Sequence, residues 1–468
     1  MKVKRLKMQS FRGIGDLTLD FHEAEPTIII GINGVGKSSI LDCLAILLTQ
    51  LTGQIQDSLE SLRFFITQDV TNGRDRTHNE ITVLIELQEL TWLMAEDKGA
   101  KTNDGKYIYL QDTIKDNFEL EKEIINLKNK FKNSKDFETL LIRNENRRTE
   151  LATIIRSELK GDLKTAIENL NNQLAAIPDT NVPLAVYYPV NRAVIDMPLE
   201  ISEVSSFKQV DAYEQALTGG RIDFKTFFEW FRNREDLENE RRRDNPDYRD
   251  KQLEAVRQSI SSLIPEFSNL RVQRSPLRMT VRKQGEELII NQLSDGEKCL
   301  LAMVGDLARR LAIANPGLTE PLEGEGVVLI DEIELHLHPK WQREIIPALT
   351  RTFPNCQFIV TTHSPQVISQ VKPEGIYILE KTDEGVIAKK PESSFGRDSN
   401  RILEDLMGVP ERPREIKESL LELFRLIDAG NLEGARQLRQ QLANEIGADE
   451  PEFVKADVLI RRKEILNR

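Results

Sequence analysis

The chain has 468 residues, of which 39% are hydrophobic and 30% are charged, and its formal net charge is −12. These proportions are typical of a globular protein with an adequate core. The negative charge excludes general coating by nucleic acid, so any DNA contact needs a local basic face. Apolar runs such as Thr27–Ile30 and Val327–Ile330 are too short to span a bilayer.

The three cysteines, Cys43, Cys299 and Cys356, are widely spaced and form no C-x-x-C pair. This spacing disfavours a disulfide framework or a cysteine zinc site and fits a reducing compartment. The N-terminus also lacks the apolar core of a signal peptide. We therefore expect a cytoplasmic protein.

The first ninety residues predict a β-hairpin, a buried strand, a helix and a further strand. Lys2–Ser10 and Leu17–Phe21 alternate between apolar and polar residues, and Thr27–Ile30 is a short apolar run. Ser39–Leu51 has the apolar face of a helix. Ile81–Leu87 predicts the next strand.

Two stripes of apolar residues predict helices between about 95 and 180. Both have helical spacing: Leu120, Ile124, Leu127 and Phe131, then Leu163, Ile167, Leu170 and Leu174. A short antiparallel hairpin and a small helical bundle both fit this pattern.

The second half of the chain predicts an α/β core and a helical tail. Leu184–Val190 and residues 271–290 have strand patterns, whereas residues 207–265 look helical and charged. Helices and strands then alternate from Leu293 to Leu379, as in an α/β core. The aromatic cluster in the helical stretch predicts a packing face: Phe224, Phe227, Phe228, Trp230 and Phe231.

The strongest motif is Gly-Ile-Asn-Gly-Val-Gly-Lys-Ser at residues 31–38, which fits G-x-x-x-x-G-K-[ST] between a predicted strand and helix. Glycines let backbone N–H groups close around phosphate oxygens, lysine reaches the β- and γ-phosphates, and serine ligates Mg²⁺. The helix N-terminus adds partial positive charge. The predicted ATP and Mg²⁺ site contains Asn33, Gly34, Gly36, Lys37, Ser38 and Ser39.

A second motif joins the apolar run Val327–Ile330 to Asp331 and Glu332. A buried strand of this kind delivers two carboxylates to the sheet edge where ligands bind in open α/β folds. We expect Asp331 to hold Mg²⁺ through water and Glu332 to orient or deprotonate the attacking water. An acidic turn would explain this motif alone, but not its combination with a phosphate loop.

The third motif, Leu-Ser-Asp-Gly-Glu-Lys at residues 293–298, opens a predicted helix that reaches Ala314. It resembles the L-S-G-G-Q signature of ABC ATPases, with Asp295 in the first glycine place and Glu297 in the glutamine place. In that family the serine and the glycine backbone cap the γ-phosphate held by the opposite subunit. The resemblance implies that role for Ser294 and Gly296, and Ser294 also suits a helix N-cap.

Histidines follow the last two predicted strands. His363, just after Gln357–Val360, resembles the switch histidine that contacts the γ-phosphate in this family. His336 and His338 could be metal ligands, but no third ligand is evident. We favour the family interpretation, in which the segment from Glu334 to Pro339 is a D-loop-like element at the dimer seam.

Arg12, in Ser-Phe-Arg-Gly, matches the F-R-G-type element near the start of these ATPases, which implies a nucleotide contact. A surface arginine in a turn is the alternative. Gln68 is the candidate for the glutamine that senses Mg²⁺, chosen only for its position between the first helix and Ile81.

Residues 271–283 contain five cations and no acid: Arg271, Arg274, Arg278, Arg282 and Lys283. This stretch could be a DNA-facing strand pair. A solvated strand face explains it equally well.

In this order the motifs resemble the RecF-like and structural-maintenance-of-chromosomes (SMC) branch of ABC ATPases. The resemblance implies an α/β ATPase head, with a mixed sheet and a phosphate loop, split by a helical or short coiled-coil insert and followed by a helical tail. We expect residues 1–94 and 265–385 to form the two lobes of the head. Residues 95–264 then form the insert, and 386–468 a tail for assembly or partner docking.

Within that branch, Tyr187–Arg192, Phe224–Phe231 and the tail between Phe395 and Lys463 resemble antiphage-defence ATPases of the PtuA type, found in Septu and some retron systems. Those ATPases hold and control a separate HNH nuclease. The resemblance implies a homodimer or higher homo-oligomer around Mg-ATP, slow regulatory hydrolysis and a PtuB-like nuclease partner. DNA or retron nucleic acid is a further candidate partner, and no membrane partner is expected.

Two alternatives remain open. The chain could be a DNA-repair or chromosome-maintenance ATPase that acts directly on DNA, or a scaffold that barely hydrolyses ATP. A TOPRIM nuclease domain is not expected, because the segment after the head lacks a glutamate followed by an Asp-x-Asp pair.

Overall fold

A computed structural model describes residues 1–56, 61–98, 162–177, 179–192, 207–383 and 385–466. The chain divides into two compact units, Met1–Gly396 and Arg397–Arg468. The predicted helical stripe from Leu120 to Phe131 lies outside the described residues. The second stripe is confirmed as a helix, Asp162–Ala176.

The strands of the described residues all belong to the first unit. They are β1 (Lys2–Phe11), β2 (Ile14–Asp20), β3 (Thr27–Gly31), β4 (Arg76–Ile85), β5 (Gln88–Asp97), β6 (Leu184–Tyr188), β7 (Phe267–Arg274), β8 (Leu277–Lys283), β9 (Glu286–Ile289), β10 (Gly326–Ile330), β11 (Cys356–Thr361), β12 (Ile376–Thr382) and β13 (Gly385–Lys389).

The helices of the first unit are α1 (Lys37–Gln56), α2 (Asp162–Ala176), α3 (Phe224–Arg241), α4 (Lys251–Leu263), α5 (Asp295–Ala314), α6 (Pro339–Thr352) and the short α7 (Pro365–Ile368). Those of the second unit are α8 (Ser399–Asp405), α9 (Arg414–Asp428), α10 (Leu432–Ile446) and α11 (Pro451–Leu466).

A six-stranded sheet in the order β13-β12-β3-β11-β10-β6 forms the centre of the first unit. Its strands run parallel except β13, which pairs antiparallel with β12. The central strands are buried along their length, as expected for a parallel sheet covered on both faces. Register pairs Ile330 with Val360 and Thr361 with Ile29, so β3, β11 and β10 end at one edge of the sheet.

An antiparallel sheet in the order β2-β1-β4-β5 lies in the same unit. The predicted hairpin β1–β2 is confirmed. The predicted strand Ile81–Leu87 falls on the second half of β4, which begins earlier, at Arg76, and ends at Ile85, so the prediction runs on through a turn. Glu86 has a left-handed φ of +56°, and Leu87 is 98% exposed at the tip between β4 and β5. An apolar residue at the tip extended the pattern beyond the end of the strand.

Helix α1 is apolar around most of its circumference. By length and composition it is the one helix among the described residues that could cross a membrane, but 83% of its most apolar window is buried inside the protein. A helix that is hydrophobic all round is typical of a protein core. Its start, at Lys37, fixes the position of the phosphate loop.

The aromatic cluster of α3 is buried, which confirms the predicted packing face. Phe227, Phe228, Trp230 and Phe231 are each at most 1% exposed. Nearby, the three-stranded sheet β7-β8-β9 contains the basic stretch 271–283.

Acidic side chains accompany three of the five cations in that stretch. Arg271 pairs with Glu287, Lys283 with Glu297, and Arg274 with both Glu235 and Asp236. These ion pairs favour the solvated, internally neutralised strand face over the DNA-facing strand pair.

The second unit packs three helices around its own apolar core. The apolar stripe Leu420, Leu421, Phe424 and Ile427, followed by the turn signal Gly430 and by Ala435, Leu438 and Leu442, predicts a helical hairpin. Helices α9 and α10 confirm it, and α11 completes the core with Phe453, Ala456 and Ile460. Leu421, which we placed in the apolar stripe, is 51% exposed, because it lies 100° around the helix from the buried Leu420. The sequence predicted the start of the tail at residue 386, whereas β13 belongs to the central sheet and the units divide after Gly396.

Candidate nucleotide-binding site

The phosphate loop connects the end of β3 to the start of α1. Gly31, Gly34 and Gly36 have φ values of +151°, +77° and +112°, which residues with a side chain rarely adopt. A Cβ at Gly31 would also lie 2.7 Å from the carbonyl oxygen of Leu379. These three positions of the loop therefore favour glycine.

Lys37 is buried under this loop. Its ammonium group donates hydrogen bonds to the carbonyl oxygens of Gly31 (2.9 Å) and Ile32 (3.1 Å). Ser38 is exposed and Ser39 half-buried in the first turn of α1, and Asn33 is exposed on the loop. This arrangement places a cation beneath the loop and hydroxyl groups beside it.

The predicted carboxylates lie close enough to Lys37 to affect its titration. Burial lowers the pKa of the Lys37 ammonium, and the negative charges of Asp331, Glu332 and Glu334 oppose that shift. The phosphate loop and the acidic end of β10 therefore face each other across β11 at one edge of the sheet.

Thr361, at the end of β11, fixes both residues of the Asp-Glu pair. Its hydroxyl donates to Oδ1 of Asp331 and accepts a 2.8 Å hydrogen bond from the backbone N–H of Glu332. Asp331 is 3% exposed. A carboxylate held in this way provides the hard oxygen ligand that Mg²⁺ prefers.

Glu332 adopts a left-handed backbone conformation, with φ of +45°. Such a conformation costs a residue with a side chain about 1–3 kcal/mol and persists only when its surroundings hold it. The guanidinium of Arg192 donates to the carbonyl oxygens of Asp331 and of Glu332 (2.9 Å). No motif in the sequence indicates a role for Arg192, although the segment that resembles the PtuA type ends at this residue.

Glu334 ties this turn to the segment that contains His363. Its carboxylate accepts hydrogen bonds from the backbone N–H of His363 and from the Thr362 hydroxyl, the latter at 2.6 Å. The structure therefore brings His363 to the same sheet edge, half-buried. Sequence reasoning placed Glu334 in a D-loop-like segment and missed this contact. The one feature of the sequence that could have indicated this contact was the position of Glu334, three residues after Asp331.

Ser294 is the N-cap of α5. Its hydroxyl and backbone N–H both donate to Glu297, at 2.8 Å and 2.9 Å, in a capping box. Burial would raise the pKa of Glu297, but hydrogen bonds from Lys283 and Ser294 outweigh it and lower that pKa. The residue in the glutamine place of the signature is thus a charged cap that holds the helix start. Gly296 lies in the first turn of the same helix.

Arg12 bridges the β1–β2 turn to two carboxylates. It pairs with Asp42 on α1 (2.6 Å) and with Asp69 (2.7 Å), and its φ is +44°. Asp42 follows Ser38 by one helical turn, so Arg12 lies beside the start of α1. Gln68 is exposed next to Asp69.

Among the described residues, no hydrogen bond or ion pair joins Ser294 or Gly296 to Lys37 or Ser38. The described part of the chain also contains no group of three or more His, Cys, Asp or Glu side chains that could hold a metal. His336 and His338 therefore do not form such a group there. Mg²⁺ in nucleotide sites needs only one or two protein ligands, because phosphates and water complete its shell. Ser38 and Asp331 fit that requirement.

The chain is similar to known ATPases over most of its length. The AAA ATPase domain family matches residues 1–368. The Retron Ec83 probable ATPase of Escherichia coli is 30% identical over 99% of this chain and 87% of its own length. Septu protein PtuA of Bacillus thuringiensis is 30% identical over 31% of this chain and 39% of its own length.

An SMC head bound to the C-terminal winged-helix domain of ScpA aligns with 84% of this chain and 98% of its own, with 14% identity and a TM-score of 0.43. The expected family and the α/β fold class, with its mixed sheet and helical C-terminal region, are confirmed. The chain therefore belongs to the AAA ATPase domain family and is a relative of the retron probable ATPase of Escherichia coli, with a shorter stretch of similarity to Septu protein PtuA.

Proposed function

We propose that this chain binds Mg-ATP through its phosphate loop and hydrolyses it slowly at a site that a second copy completes. Closure of the ATP-bound dimer then regulates a separately encoded nuclease in antiphage defence. The observation that carries the nucleotide part is the convergence of Lys37, Asp331 and Glu332 at one edge of the central sheet.

In this proposal the backbone N–H groups of the loop hold the phosphates. These groups belong to Asn33, Gly34, Gly36, Lys37, Ser38 and Ser39. Mg²⁺ neutralises charge on the β- and γ-phosphates, and the residues placed to hold it are Ser38, Asp331 through water and, by position alone, Gln68. Arg12 lies beside the start of α1. To contact a nucleotide there, its guanidinium must break its ion pair with Asp42 or with Asp69.

Hydrolysis requires a group that orients or deprotonates water on the far side of the γ-phosphate. Glu332 is that group in our proposal, because its backbone is held at the sheet edge next to Asp331. His363 contacts the γ-phosphate from the neighbouring strand end. A hydrogen bond to Thr361 holds the backbone of Glu332 at this edge. The hydrogen bonds that Glu334 accepts from Thr362 and from the N–H of His363 hold His363 at the same edge.

Ser294 and Gly296 lie at the start of a different helix, and no described polar contact joins them to the phosphate loop. We propose that they cap the γ-phosphate of a second chain in a two-fold dimer, so that each dimer has two equivalent sites. Loss of the γ-phosphate then removes the group held by both chains and loosens the interface.

The role in defence rests on the relatives. The Escherichia coli relative is a retron protein and matches over nearly the whole chain. The Bacillus thuringiensis relative is a Septu protein. We propose a PtuB-like HNH nuclease as the partner, the second unit as its docking or assembly element, and the cytoplasm as the compartment. The paired cations of residues 271–283 give no specific support to direct action on DNA.

The experiment that tests the nucleotide part is Glu332→Gln. Loss of the base should leave ATP binding intact and slow hydrolysis by about 10²-fold or more, while ATP traps the dimer. The control is Glu344→Gln, which changes an exposed glutamate on α6. Hydrolysis at the wild-type rate in Glu332→Gln would place the base elsewhere. A gene for a small histidine-rich nuclease beside this one would support the partner, and its consistent absence would argue against it.

A further inference from the structure

Arg192 is a fully buried cation that binds backbone oxygens. It is 1% exposed, and its guanidinium donates to the carbonyl oxygens of Asp331 and Glu332, with a longer 3.5 Å contact to that of Ile333. Its Nε has no hydrogen-bond partner among the described residues. Three successive carbonyl groups of the turn after β10 thus point towards one side chain.

This convergence depends on the unusual backbone of Glu332. In an extended strand successive carbonyl groups point in opposite directions, so one guanidinium could not bind neighbouring ones. The left-handed φ of Glu332 rotates the chain and brings the carbonyls of Asp331 and Glu332 to the same side. The same rotation sets the direction in which the Glu332 side chain leaves the backbone.

Two neighbouring strands hold the turn from opposite sides. On the β11 side, the Thr361 hydroxyl accepts from the N–H of Glu332. On the β6 side, the carbonyl oxygen of Tyr188 accepts a 2.9 Å hydrogen bond from the N–H of Asp331, and the chain then continues to Arg192, which donates back to the turn. Thr361 therefore holds the backbone N–H of Glu332, and Arg192 holds its backbone carbonyl oxygen.

We propose that Arg192 is a positioning residue for hydrolysis, which holds the Glu332 backbone in the conformation that aims its carboxylate at the attacking water. The proposal rests on the assignment of Glu332 as the base under Proposed function. Arg192 itself binds no nucleotide. Its effect should therefore appear in the rate of the chemical step and not in the affinity for ATP.

The chemistry of the contact requires arginine. A guanidinium presents N–H donors in a rigid planar fork, whereas a lysine ammonium is a single point charge on a flexible chain. Lysine could keep the buried charge and reach one carbonyl, but it could not clamp two in fixed geometry. A glutamine would leave at least one carbonyl without a donor.

The test measures kcat, KM and ATP affinity for Arg192→Lys and Arg192→Gln. We expect Arg192→Gln to lower kcat at least tenfold with ATP affinity within about threefold of wild type, and Arg192→Lys to be intermediate. Arg309→Gln is the matched control. Arg309 is another buried arginine whose Nε lacks a described partner, and its hydrogen bond within the described part of the chain goes to Asp306. The Arg309→Gln variant should have a changed melting temperature, but its folded form should not lose kcat to a comparable extent.

A double-mutant cycle separates positioning from general destabilisation. If Arg192 acts through Glu332, Arg192→Gln should cause no further loss of kcat when Glu332 is already glutamine. Additive losses, unchanged kcat in Arg192→Gln, or an equal loss of kcat in Arg309→Gln would overturn the proposal. A normal rate in Glu332→Gln alone would instead reject the base assignment in the proposed function.

Discussion

The carbonyl oxygen of His336 lies against the first turn of α5, so close that a Cβ at Gly296 would be 2.3 Å from it. His336 follows Glu332 by four residues, and Gly296 follows Ser294 by two. Within one chain, the turn that contains the proposed base therefore contacts the helix start that we assign to the γ-phosphate of the second chain.

The contact predicts that even alanine cannot replace Gly296 without a shift of the backbone. Gly296→Ala should lower the free energy of unfolding by about 1–3 kcal/mol, the range for overpacking, and reduce hydrolysis more strongly than ATP binding. Urea unfolding and steady-state hydrolysis measure the two effects. Asp295→Ala, at a neighbouring position whose side chain is 86% exposed, serves as the stability control. Equal stability of both variants would disprove the clash.

Lys37→Ala should abolish nucleotide binding, because the change removes the cation that faces the β- and γ-phosphates. We expect ATP affinity to fall by about 10²-fold or more, since a hydrogen-bonded charge pair of this kind is typically worth 2–5 kcal/mol. Calorimetric titration with Mg-ATP measures the change. Lys251→Ala, which alters an exposed lysine on α4, should bind normally. Normal affinity in Lys37→Ala would reject the site.

The buried Asp306 on α5 predicts how the stability of the fold changes at acidic pH. Burial would raise its pKa, but Arg310 and Arg309 more than offset burial and lower the pKa from the ordinary 3.8 to about 2. A carboxyl group with a lowered native pKa stabilises the fold fully above the unfolded value. That stabilisation, about 2 kcal/mol for a shift of this size, is lost as pH falls from 4 through 2.

Asp306→Asn should therefore be less stable than wild type at pH 7 and should lose less additional stability between pH 4 and pH 2. The hydrogen bond that Tyr188 donates to Asp306 (2.9 Å) gives a second reason for the loss at neutral pH. Denaturant unfolding of the two proteins at pH 7, 4 and 2 tests both points. Parallel stability curves would show that Asp306 does not titrate in this window.

The local parts of the site could be predicted from the sequence. The glycine spacing before Lys37 and the apolar run before Asp331 are short patterns that each specify a backbone path. Their meeting at one sheet edge follows from parallel strand order. The N-cap at Ser294 is equally local, because a capping box needs only the residue three positions later.

The contacts that shape the Glu332 turn could not be predicted in this way. Arg192 reaches Asp331 across 139 residues of sequence, and no periodicity or motif encodes which backbone oxygens a buried arginine will bind. The contact between Gly296 and His336 likewise depends on how a turn packs against the start of a helix. The end of β4 was misplaced for a local reason, because the apolar Leu87 continues the strand pattern into an exposed turn.

Deletion of residues 397–468 should spare nucleotide binding and remove a partner or a higher oligomer. The second unit has its own apolar core, around Leu423, Ile427 and Phe453, and none of the proposed catalytic residues belongs to it. Light scattering and nuclease pull-down measure assembly, and Mg-ATP titration is the control for the head. If the truncated chain keeps both assembly and partner binding, the docking role is wrong.

The central claim is that one ATP site is built from two chains. Ser294→Arg should block closure by steric clash and charge while ATP still binds through Lys37. Lys37→Ala should lack nucleotide binding but keep an intact Ser294. Each variant alone should be inactive, whereas a mixed dimer has one site with both sides intact.

The decisive measurement is ATP hydrolysis by an equal mixture of Ser294→Arg and Lys37→Ala chains. Random pairing gives mixed dimers with one competent site of two, so activity should recover to about one quarter of wild type. Activity should also fall when the wild-type protein is diluted to monomer. Normal hydrolysis by Ser294→Arg alone, or no recovery in a mixture shown to contain mixed dimers, would contradict the two-chain site.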